Sequence, residues 1–320
     1  MNALLEKISQ IGIVPVAALE DVGQAVEVAK ALFAGGIPLI EVTLRTDAAL
    51  QCIEAIIKNV PEVLIGVGTV HTKGQAENAV KAGAQFIVTP GVNEEVVAWC
   101  VENKVPIIPG VVSPSDLERA MQFGIEVCKF FPAETYGGVK ALKALYAPYK
   151  DMKFMATGGI NQTNMLAYLK LPNVLAVGGS FMLPEACIKT ANWEGITKIC
   201  IDTIRQILGF ELAHIGIHTQ DAEESKQVAH KLARLFIQEV KESPEAYFVG
   251  DMAEVVKRKL TGEKGHLAIA THNMNRAIAY LHSISVEIDK TTEMYNEKGE
   301  LEVVYLKEEV GGFAIALKRK

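Results

Sequence analysis

A lysine stands inside an apolar run of the kind that forms a buried strand. Lys129 lies in VCKFFPA, residues 127–133, where its neighbours are valine, cysteine and phenylalanine. Burial removes water from an amine and so disfavours the charged ammonium form. The neutral amine that remains is a nucleophile, which can condense with a ketone to form a Schiff base. Lys129 is therefore our first candidate for covalent chemistry.

A second candidate group lies in EVTLR, residues 41–45. Glu41, Thr43 and Arg45 alternate along this run, so in a strand they would share one face. A carboxylate there could carry protons for a lysine-based reaction. Taken alone, Glu41 and Arg45 could equally form a structural ion pair across the strand face.

Two glycine pairs indicate a site for an anion. TGGI covers residues 157–160 and GGS covers residues 178–180, and each follows an apolar run. Backbone N–H groups at such strand ends, followed by the start of a helix, commonly bind phosphate. The same glycines could instead be plain strand-to-helix turns, because glycine also permits tight packing.

Short β-branched or apolar runs recur along the first two thirds of the chain and are typical of strands. Segments with helical spacing separate them, such as residues 22–33, which precede Gly35 and Gly36. Eight such units predict a parallel sheet that closes into an α/β fold, a (β/α)8 TIM barrel, with a doubly wound open sheet as the alternative. The predicted strands are residues 13–19, 39–45, 64–70, 86–92, 105–111, 127–133, 153–160 and 174–181.

In such a barrel, site residues should lie at the carboxyl ends of the strands. Thr69, Pro90 and Pro109 are expected there, at the ends of strands three, four and five. They could also simply shape the strand ends. Together with the glycine pairs and Lys129, they predict an anionic, phosphorylated small-molecule substrate.

Composition argues against several other classes of function. The chain has 320 residues, 49% of them hydrophobic, which suits one large domain and a second, smaller one. A net charge of −6 argues against nucleic acid or an anionic membrane as partner, because both reward a basic face. Five scattered cysteines without a CxxC pair predict neither disulfides nor a thiolate metal site. The N-terminal segment lacks a basic leader, so we expect a cytoplasmic protein.

The ordered set of motifs resembles the 2-keto-3-deoxy-6-phosphogluconate (KDPG) aldolases, also called 2-keto-4-hydroxyglutarate (KHG) aldolases. The resemblance runs over residues 1 to about 205, and the order of the pieces makes it specific. It is carried by EVTLRT (41–46), GVGTV (66–70), TPG (89–91), IPG (108–110), KFFPAE (129–134), GGVKAL (137–142), TGGI (157–160) and GGS (178–180).

This resemblance implies a class I aldolase that needs no metal and no cofactor. KDPG would be cleaved to pyruvate and glyceraldehyde 3-phosphate, with 4-hydroxy-2-oxoglutarate as a second substrate, and a homo-trimer is the implied assembly. Lys129 would correspond to the Schiff-base lysine and Glu41 to the proton-shuttling carboxylate. The substrate would be bound by Arg45 and Thr69 at the pyruvate carboxylate, Pro90 and Phe131 at the pocket wall, Thr157 at the keto acid, and Gly158, Gly159, Gly179 and Ser180 at the phosphate.

Two other functions stay open on the sequence alone. A phosphosugar isomerase or synthase could use similar phosphate loops, because these recur across many barrels. A non-enzymatic sugar-phosphate sensor is the third reading, in which the C-terminal third would report ligand occupancy. Lys129 favours the aldolase over both.

The periodicity changes at Gly209, which predicts a barrel of residues 1–208 and a second domain of residues 209–320. The stretch HIGIHTQDAEESKQVAHKL (214–232) parallels HLAIATHNMNRAIAYLHSI (266–284), each an alternating strand followed by an amphipathic helix. These halves predict a duplicated α+β domain of βαβββ-like units. The domain resembles the glyoxalase, or vicinal-oxygen-chelate, modules.

Six of the seven histidines lie in this second domain, and His214 and His266 open equivalent predicted strands. In the family that the domain resembles, a first-strand histidine pairs with a last-strand glutamate. Aligning MAEVVKR with FAIALKR places Val255 and Ala316 at those last-strand positions. Glu254 is one residue away and should face the other side of the sheet. We therefore expect no metal, and a packing, oligomer-forming or regulatory module.

Overall fold

The computed structural model describes residues 2–258 and 262–320. The chain divides into two compact units, Met1–Ile207 and Leu208–Lys320. Each unit has its own sheet and its own buried apolar residues. Among the helices in the described ranges, none combines the length and apolar character that crossing a bilayer requires.

Nine short strands, all parallel, form the sheet of the first unit. They are β1 (Ile13–Ala17), β2 (Leu39–Thr43), β3 (Leu64–Gly68), β4 (Phe86–Val88), β5 (Ile107–Ile108), β6 (Gly110–Val111), β7 (Val127–Phe130), β8 (Lys153–Thr157) and β9 (Val174–Gly179). Their order in the sheet is β5-β4-β3-β2-β1-β9-β8-β7-β6.

The two ends of this sheet order, β5 and β6, are one strand interrupted at Pro109. Proline has no N–H to give to a strand ladder, which explains the interruption. The carbonyl of Pro109 still accepts a hydrogen bond of 2.8 Å from the N–H of Lys129 on β7. The sheet therefore closes on itself with eight strand positions. The prediction of a TIM-like barrel is confirmed, and the open sheet is excluded.

Helices alternate with these strands along the chain. Several begin where the sequence offers a cap: Thr72 and Gln75 form a capping box at the start of the helix Lys73–Lys81, and Asn93 caps the helix Glu94–Glu102. The helices are α1 (Ala3–Ile11), α2 (Val22–Ala34), α3 (Ala49–Asn59), α4 (Lys73–Lys81), α5 (Glu94–Glu102), α6 (Pro114–Gln122), α7 (Gly138–Tyr146), α8 (Met165–Leu169), α9 (Glu185–Lys189) and α10 (Trp193–Leu208).

The barrel strands are buried on both faces, as continuous apolar runs predict. Every residue of β2 and of β9 is buried. Polar side chains within such strands are therefore the informative exceptions. Glu41, Thr43, Lys129 and Thr157 are all buried there.

The described residues of the second unit form one mixed sheet of eight strands with two helices. Its elements are β10 (Glu211–His218), α11 (Ala222–Phe236), β11 (Val240–Glu242), β12 (Ala246–Val249), β13 (Ala253–Val256), β14 (His266–Thr271), α12 (Met274–Ser283), β15 (Ile288–Tyr295), β16 (Leu301–Val310) and β17 (Phe313–Arg319). The sheet order is β11-β12-β13-β10-β14-β17-β16-β15. Each half thus runs strand, helix and three strands, and the first strands of the two halves pair antiparallel at the centre.

Candidate active site

Lys129 and Glu41 are in direct contact inside the barrel. Nζ of Lys129 lies 3.0 Å from Oε1 and 3.4 Å from Oε2 of Glu41. The lysine is 6% exposed and the glutamate 0%. A buried ionisable group carries a large desolvation cost when it is charged, which only a close partner offsets. The pair therefore differs from an ordinary ion pair on the protein surface, because both of its members are buried.

Glycine at position 68 makes room for this contact. A Cβ on Gly68, at the end of β3, would lie 2.1 Å from Oε1 and 2.9 Å from Cγ of Glu41. Glu41 is on the neighbouring strand β2, where it pairs with Gly66. Any larger residue at position 68 would displace the carboxylate from Lys129.

A carboxylate and an amine at hydrogen-bond distance can exchange a proton. When Glu41 takes the proton, Lys129 becomes a neutral nucleophile. When Glu41 gives it back, the carboxylate can serve a second proton transfer. The pair can therefore run the successive protonation steps of Schiff-base chemistry without another titratable group.

Phe131 lies next to Lys129, and Pro90 lies next to the strand partner of Lys129. The ring centroid of Phe131 lies 5.2 Å from Nζ of Lys129, within the range of a cation–π contact. Pro90 follows β4, and its carbonyl oxygen would be 2.2 Å from a Cβ on Gly110, the strand partner of Lys129. Both residues are half-buried.

Thr157 ends β8 with its side chain buried. Its Oγ1 finds no hydrogen-bond partner among the described residues. A Cβ on Gly178 of the adjacent strand β9 would lie 2.3 Å from this oxygen, so glycine leaves space beside it. A buried hydroxyl without a partner is costly, so its retention suits a role in binding a ligand oxygen.

Arg45 and Thr69 lie just beyond β2 and β3. Arg45 is exposed, and Thr69 is half-buried. Thr69 has a φ of 62°, in the left-handed region that a β-branched residue rarely adopts. Backbone strain of this kind clusters at functional sites.

The first glycine pair adopts a backbone conformation that other residues rarely adopt. Gly158 and Gly159 have φ values of 102° and 78°. The side-chain amide of Asn164 donates a 3.0 Å hydrogen bond to the carbonyl of Gly159, which holds the loop. A Cβ on Gly158 would meet Cα of Pro132 at 2.8 Å. The loop therefore packs too closely for side chains and presents backbone.

The second glycine pair ends β9, where Gly179 is buried and Ser180 is exposed. Ser180 lines a cavity of about 340 Å³. This cavity is bordered by residues after β1, such as Leu19 and Asp21, and by Glu185 and Lys189 of α9.

Sequence reasoning missed one interacting pair beside the first glycine loop. Tyr168 of α8 donates its hydroxyl hydrogen bond to Oε1 of Glu134, which follows β7. Burial, together with the hydrogen bond to Glu134 and its charge, raises the pKa of the Tyr168 hydroxyl. KFFPAE had drawn attention to Lys129, but nothing local signals a tyrosine partner 34 residues away.

The second unit contains a cluster of two histidines and Glu254, which the sequence predicts to be apart. Nε2 of His214 lies 3.1 Å and Nε2 of His266 lies 3.3 Å from Oε2 of Glu254. The expectation that Glu254 faces away from the histidines is therefore wrong. Gly216 pairs with both Glu254 and His266, so the three strands bring these side chains to one face.

The wrong face was predicted for Glu254 because the alignment of the two halves is out of register by one residue. Gly216 on β10 pairs with Glu254 on β13, as Ala268 on β14 pairs with Ala316 on β17. Ala316 is thus the counterpart of Glu254 and not of Val255. A slip of one residue moves a strand side chain to the opposite face.

The two histidines of this cluster change the pKa of its carboxylate. Burial by itself raises the pKa of Glu254, but hydrogen bonds from His214 and His266, and their charge, outweigh it and lower that pKa to about 2. Burial, with the charge of Glu254 added to it, raises the pKa of Tyr305 to about 12. The donor atoms of His214, Glu254 and His266 all lie within 4.8 Å of one another, close enough to hold one metal ion.

Comparison with known proteins matches the barrel. The sequence of the "2-dehydro-3-deoxy-phosphogluconate aldolase" of Treponema pallidum is 46% identical over 209 residues, which are 65% of this chain and 99% of that protein. The "KHG/KDPG aldolase" of Escherichia coli K12 is 42% identical over 192 residues, 60% of this chain and 90% of that protein.

A solved structure agrees with these relatives. The KDPG aldolase from Legionella pneumophila, captured with pyruvate as a covalent carbinolamine intermediate, is 42% identical and has a TM-score of 0.61. The match covers 62% of this chain and 97% of that one. The sequence model of the family described as KDPG and KHG aldolase matches residues 4–199. The chain therefore belongs to the KDPG and KHG aldolase family.

Proposed function

We propose that this protein is a class I aldolase that cleaves KDPG to pyruvate and glyceraldehyde 3-phosphate. It also cleaves 4-hydroxy-2-oxoglutarate to pyruvate and glyoxylate. The observation that carries this proposal is the buried contact of 3.0 Å between Nζ of Lys129 and Oε1 of Glu41. Membership of the aldolase family supports it.

The reaction begins when Glu41 accepts a proton from Lys129. The neutral amine attacks the C2 ketone, and Glu41 returns the proton to the departing water, which leaves a protonated imine. The imine accepts the electron pair of the C3–C4 bond as that bond breaks, while Glu41 takes the proton of the C4 hydroxyl. Protonation of the resulting enamine at C3 and hydrolysis release pyruvate and restore Lys129.

The remaining site residues have binding roles in this proposal. Arg45 and Thr69 hold the pyruvate carboxylate, and Pro90 and Phe131 form the wall of the pocket. The unpartnered hydroxyl of Thr157 supports a contact with the keto acid. The backbone of the two glycine loops supports phosphate binding, since N–H groups at strand ends suit an anion. The phosphate ligands are Gly158, Gly159, Gly179 and Ser180.

Reductive trapping tests the covalent step. Borohydride added with pyruvate should reduce the imine and attach a stable three-carbon mass to Lys129, which peptide mass spectrometry locates. Lys129→Ala should lose both the adduct and pyruvate formation from KDPG. Lys153→Ala is the matched control, because Lys153 is also on a barrel strand but bonds the carbonyl of Pro172. An unmodified Lys129 in active protein would overturn the mechanism.

Substrate preference needs its own measurement. A coupled lactate dehydrogenase assay reports pyruvate from KDPG and from 4-hydroxy-2-oxoglutarate under identical conditions. The phosphate-type loops lead us to expect the higher kcat/KM for KDPG. The same assay decides against a phosphosugar isomerase, which releases no pyruvate, and against a non-enzymatic sensor.

The proposed setting is cytoplasmic, with a small-molecule substrate and neither nucleic acid nor membrane as partner. All five cysteines are free, which supports a reducing compartment. We propose a homo-trimer, and light scattering coupled to size-exclusion chromatography measures its mass.

For residues 209–320 we propose a glyoxalase-like module that binds one divalent transition-metal ion. The three close donors, His214, Glu254 and His266, support this proposal. Donor atoms that sit about 2.1 Å from one ion are roughly 3.0 to 3.4 Å apart, depending on the geometry. The distances between the donors here are 3.1, 3.3 and 3.3 Å. Two imidazoles and one carboxylate are a common ligand set for zinc and iron(II).

The competing reading is a hydrogen-bonded triad in which both histidines donate to Glu254. Metal analysis of the full chain after zinc loading and dialysis separates the two. We expect about one zinc per chain, lost in Glu254→Gln and His266→Ala but retained in the control His230→Ala, which changes an exposed helix residue. A wild-type protein that retains no metal would favour the triad, and a Glu254→Gln protein that retains all of it would place the metal outside this cluster. Chelation should leave aldol cleavage unchanged, because Lys129 supplies the electron sink.

A further inference from the structure

A glutamate packs against the loop that is proposed to receive phosphate. The side chain of Glu134 packs against Gly159, where a Cβ would lie 2.6 Å from Cγ of the glutamate. The N–H of Glu134 also donates a 3.1 Å hydrogen bond to the carbonyl of Gly158. Glu134 is exposed, and a negative charge on a side chain that packs against this loop would oppose the binding of a phosphate dianion there unless the carboxylate is held away and its charge partly compensated.

Tyr168 supplies that restraint. Its ring is fully buried in the core, and its hydroxyl donates to Oε1 of Glu134. Position 138 is a glycine, and a Cβ there would lie 2.7 Å from the Tyr168 hydroxyl oxygen and 3.0 Å from Oε1 of Glu134. Gly138 thus leaves space for the contact. Because the hydroxyl stays protonated at neutral pH, it is a permanent donor to the carboxylate.

We infer that Tyr168 is a positioning residue for phosphate recognition, which holds the Glu134 carboxylate and so lowers its repulsion of the phosphate of the substrate. This inference rests on the proposed function. It assigns a specificity role to two residues that do not themselves touch the reacting atoms. Without the hydroxyl, the carboxylate would be free to swing over the glycine loop.

The test compares KDPG with 2-keto-3-deoxygluconate, which differs only in lacking the phosphate. In Tyr168→Phe we expect KM for KDPG to rise about fivefold with little change in kcat, the size of a partly exposed charge interaction. The kcat/KM for the unphosphorylated substrate should change by less than about twofold. The penalty should shrink below pH about 6, where the phosphate carries a single charge.

A second variant separates charge from packing. In the double variant Tyr168→Phe, Glu134→Gln the neutral amide cannot repel the dianion, so KM for KDPG should return close to the wild-type value. Tyr149→Phe is the matched control, because the Tyr149 hydroxyl also donates to a glutamate, Glu118, elsewhere on the barrel. We expect it to leave KM unchanged.

Three outcomes would overturn the inference. One is an unchanged KM for KDPG in Tyr168→Phe, and another is an equal loss for both substrates. The third is a double variant that stays as impaired as the single one, which would show that Tyr168 only supports the loop by packing. Wild-type protein that cannot cleave KDPG at all would instead refute the proposed function, so the two failures are distinguishable.

Discussion

At the scale of single residues, the space beside Glu41 determines whether Lys129 has a proton partner. Gly68→Ala would place a methyl group 2.1 Å from Oε1 of Glu41, so the carboxylate must move away from Nζ. We expect kcat for KDPG to fall about 100-fold, since a misplacement of about 1 Å in a catalytic group can cost that much. The coupled pyruvate assay measures the loss.

Gly74→Ala provides the comparison for this variant. Gly74 is in the first turn of α4, and a Cβ there meets nothing within 4 Å. Its kcat should equal the wild-type value, and its stability should be equal or slightly higher. A Gly68→Ala enzyme with wild-type kcat would show that the contact between Glu41 and Lys129 is dispensable.

The sequence predicts a site residue when the feature that marks it is local. It does not predict contacts between residues that are far apart in the chain. Lys129 is recognisable because its type contradicts the apolar run around it, and Glu41 because it alternates within a strand. Their contact spans 88 positions, so only the closed barrel reveals it. The bond between Tyr168 and Glu134 has no local signature, because neither residue is unusual where it stands in the sequence.

At the scale of elements, the start of α6 carries a pH-dependent contribution to stability. Asp116 accepts hydrogen bonds from the N–H groups of Val112 and Ser113 and from the Ser113 hydroxyl. Burial alone would raise the pKa of Asp116, but these bonds and the charge of Arg119 outweigh it and lower that pKa. The ionised form is thus favoured in the folded state. Its stabilisation is present above the unfolded pKa of about 3.9 and is lost as the pH falls through the lower folded value.

Asp116→Ala tests this contribution. At pH 7 we expect a loss of about 1 kcal/mol in the free energy of unfolding, as for other helix caps, measured by urea denaturation. The difference from wild type should shrink as the pH falls below about 4. Asp151→Ala changes an exposed aspartate outside any helix and should have little effect at either pH. A constant difference between pH 7 and pH 3 would contradict the assignment.

The sequence predicts an element where a pattern repeats along the chain. It does not predict which face of the sheet a residue occupies, because that depends on the register of strand pairing. The prediction of a strand over 39–45 matches β2 at Leu39–Thr43, because apolar runs mark buried strands directly. The strand at 105–111 contains Pro109, and the structure breaks it there for want of an N–H. In the second unit the elements of each half were recognisable. The face of Glu254 was not, because a strand pattern shifted by one residue looks the same in sequence but is inverted in space.

At the scale of the whole molecule, each of the two compact units has a separate sheet and a separate proposed ligand. Separate sheets and cores predict separate unfolding transitions in calorimetry. A ligand stabilises only the unit that binds it. At a ligand concentration of 100 times the dissociation constant, the free energy of unfolding of that unit increases by about 3 kcal/mol. That corresponds to a shift of roughly 5 to 10 °C for the larger unit and about 10 to 20 °C for the smaller one.

We therefore expect pyruvate to raise one transition and zinc to raise the other. Lys129→Ala should abolish the pyruvate shift and keep the zinc shift, while His266→Ala should do the reverse. Each variant then serves as the control for the other, because both proteins must still show two transitions. A single transition that moves with either ligand would mean that the units unfold as one. A zinc shift that survives in His266→Ala would place the metal outside the cluster of His214, Glu254 and His266.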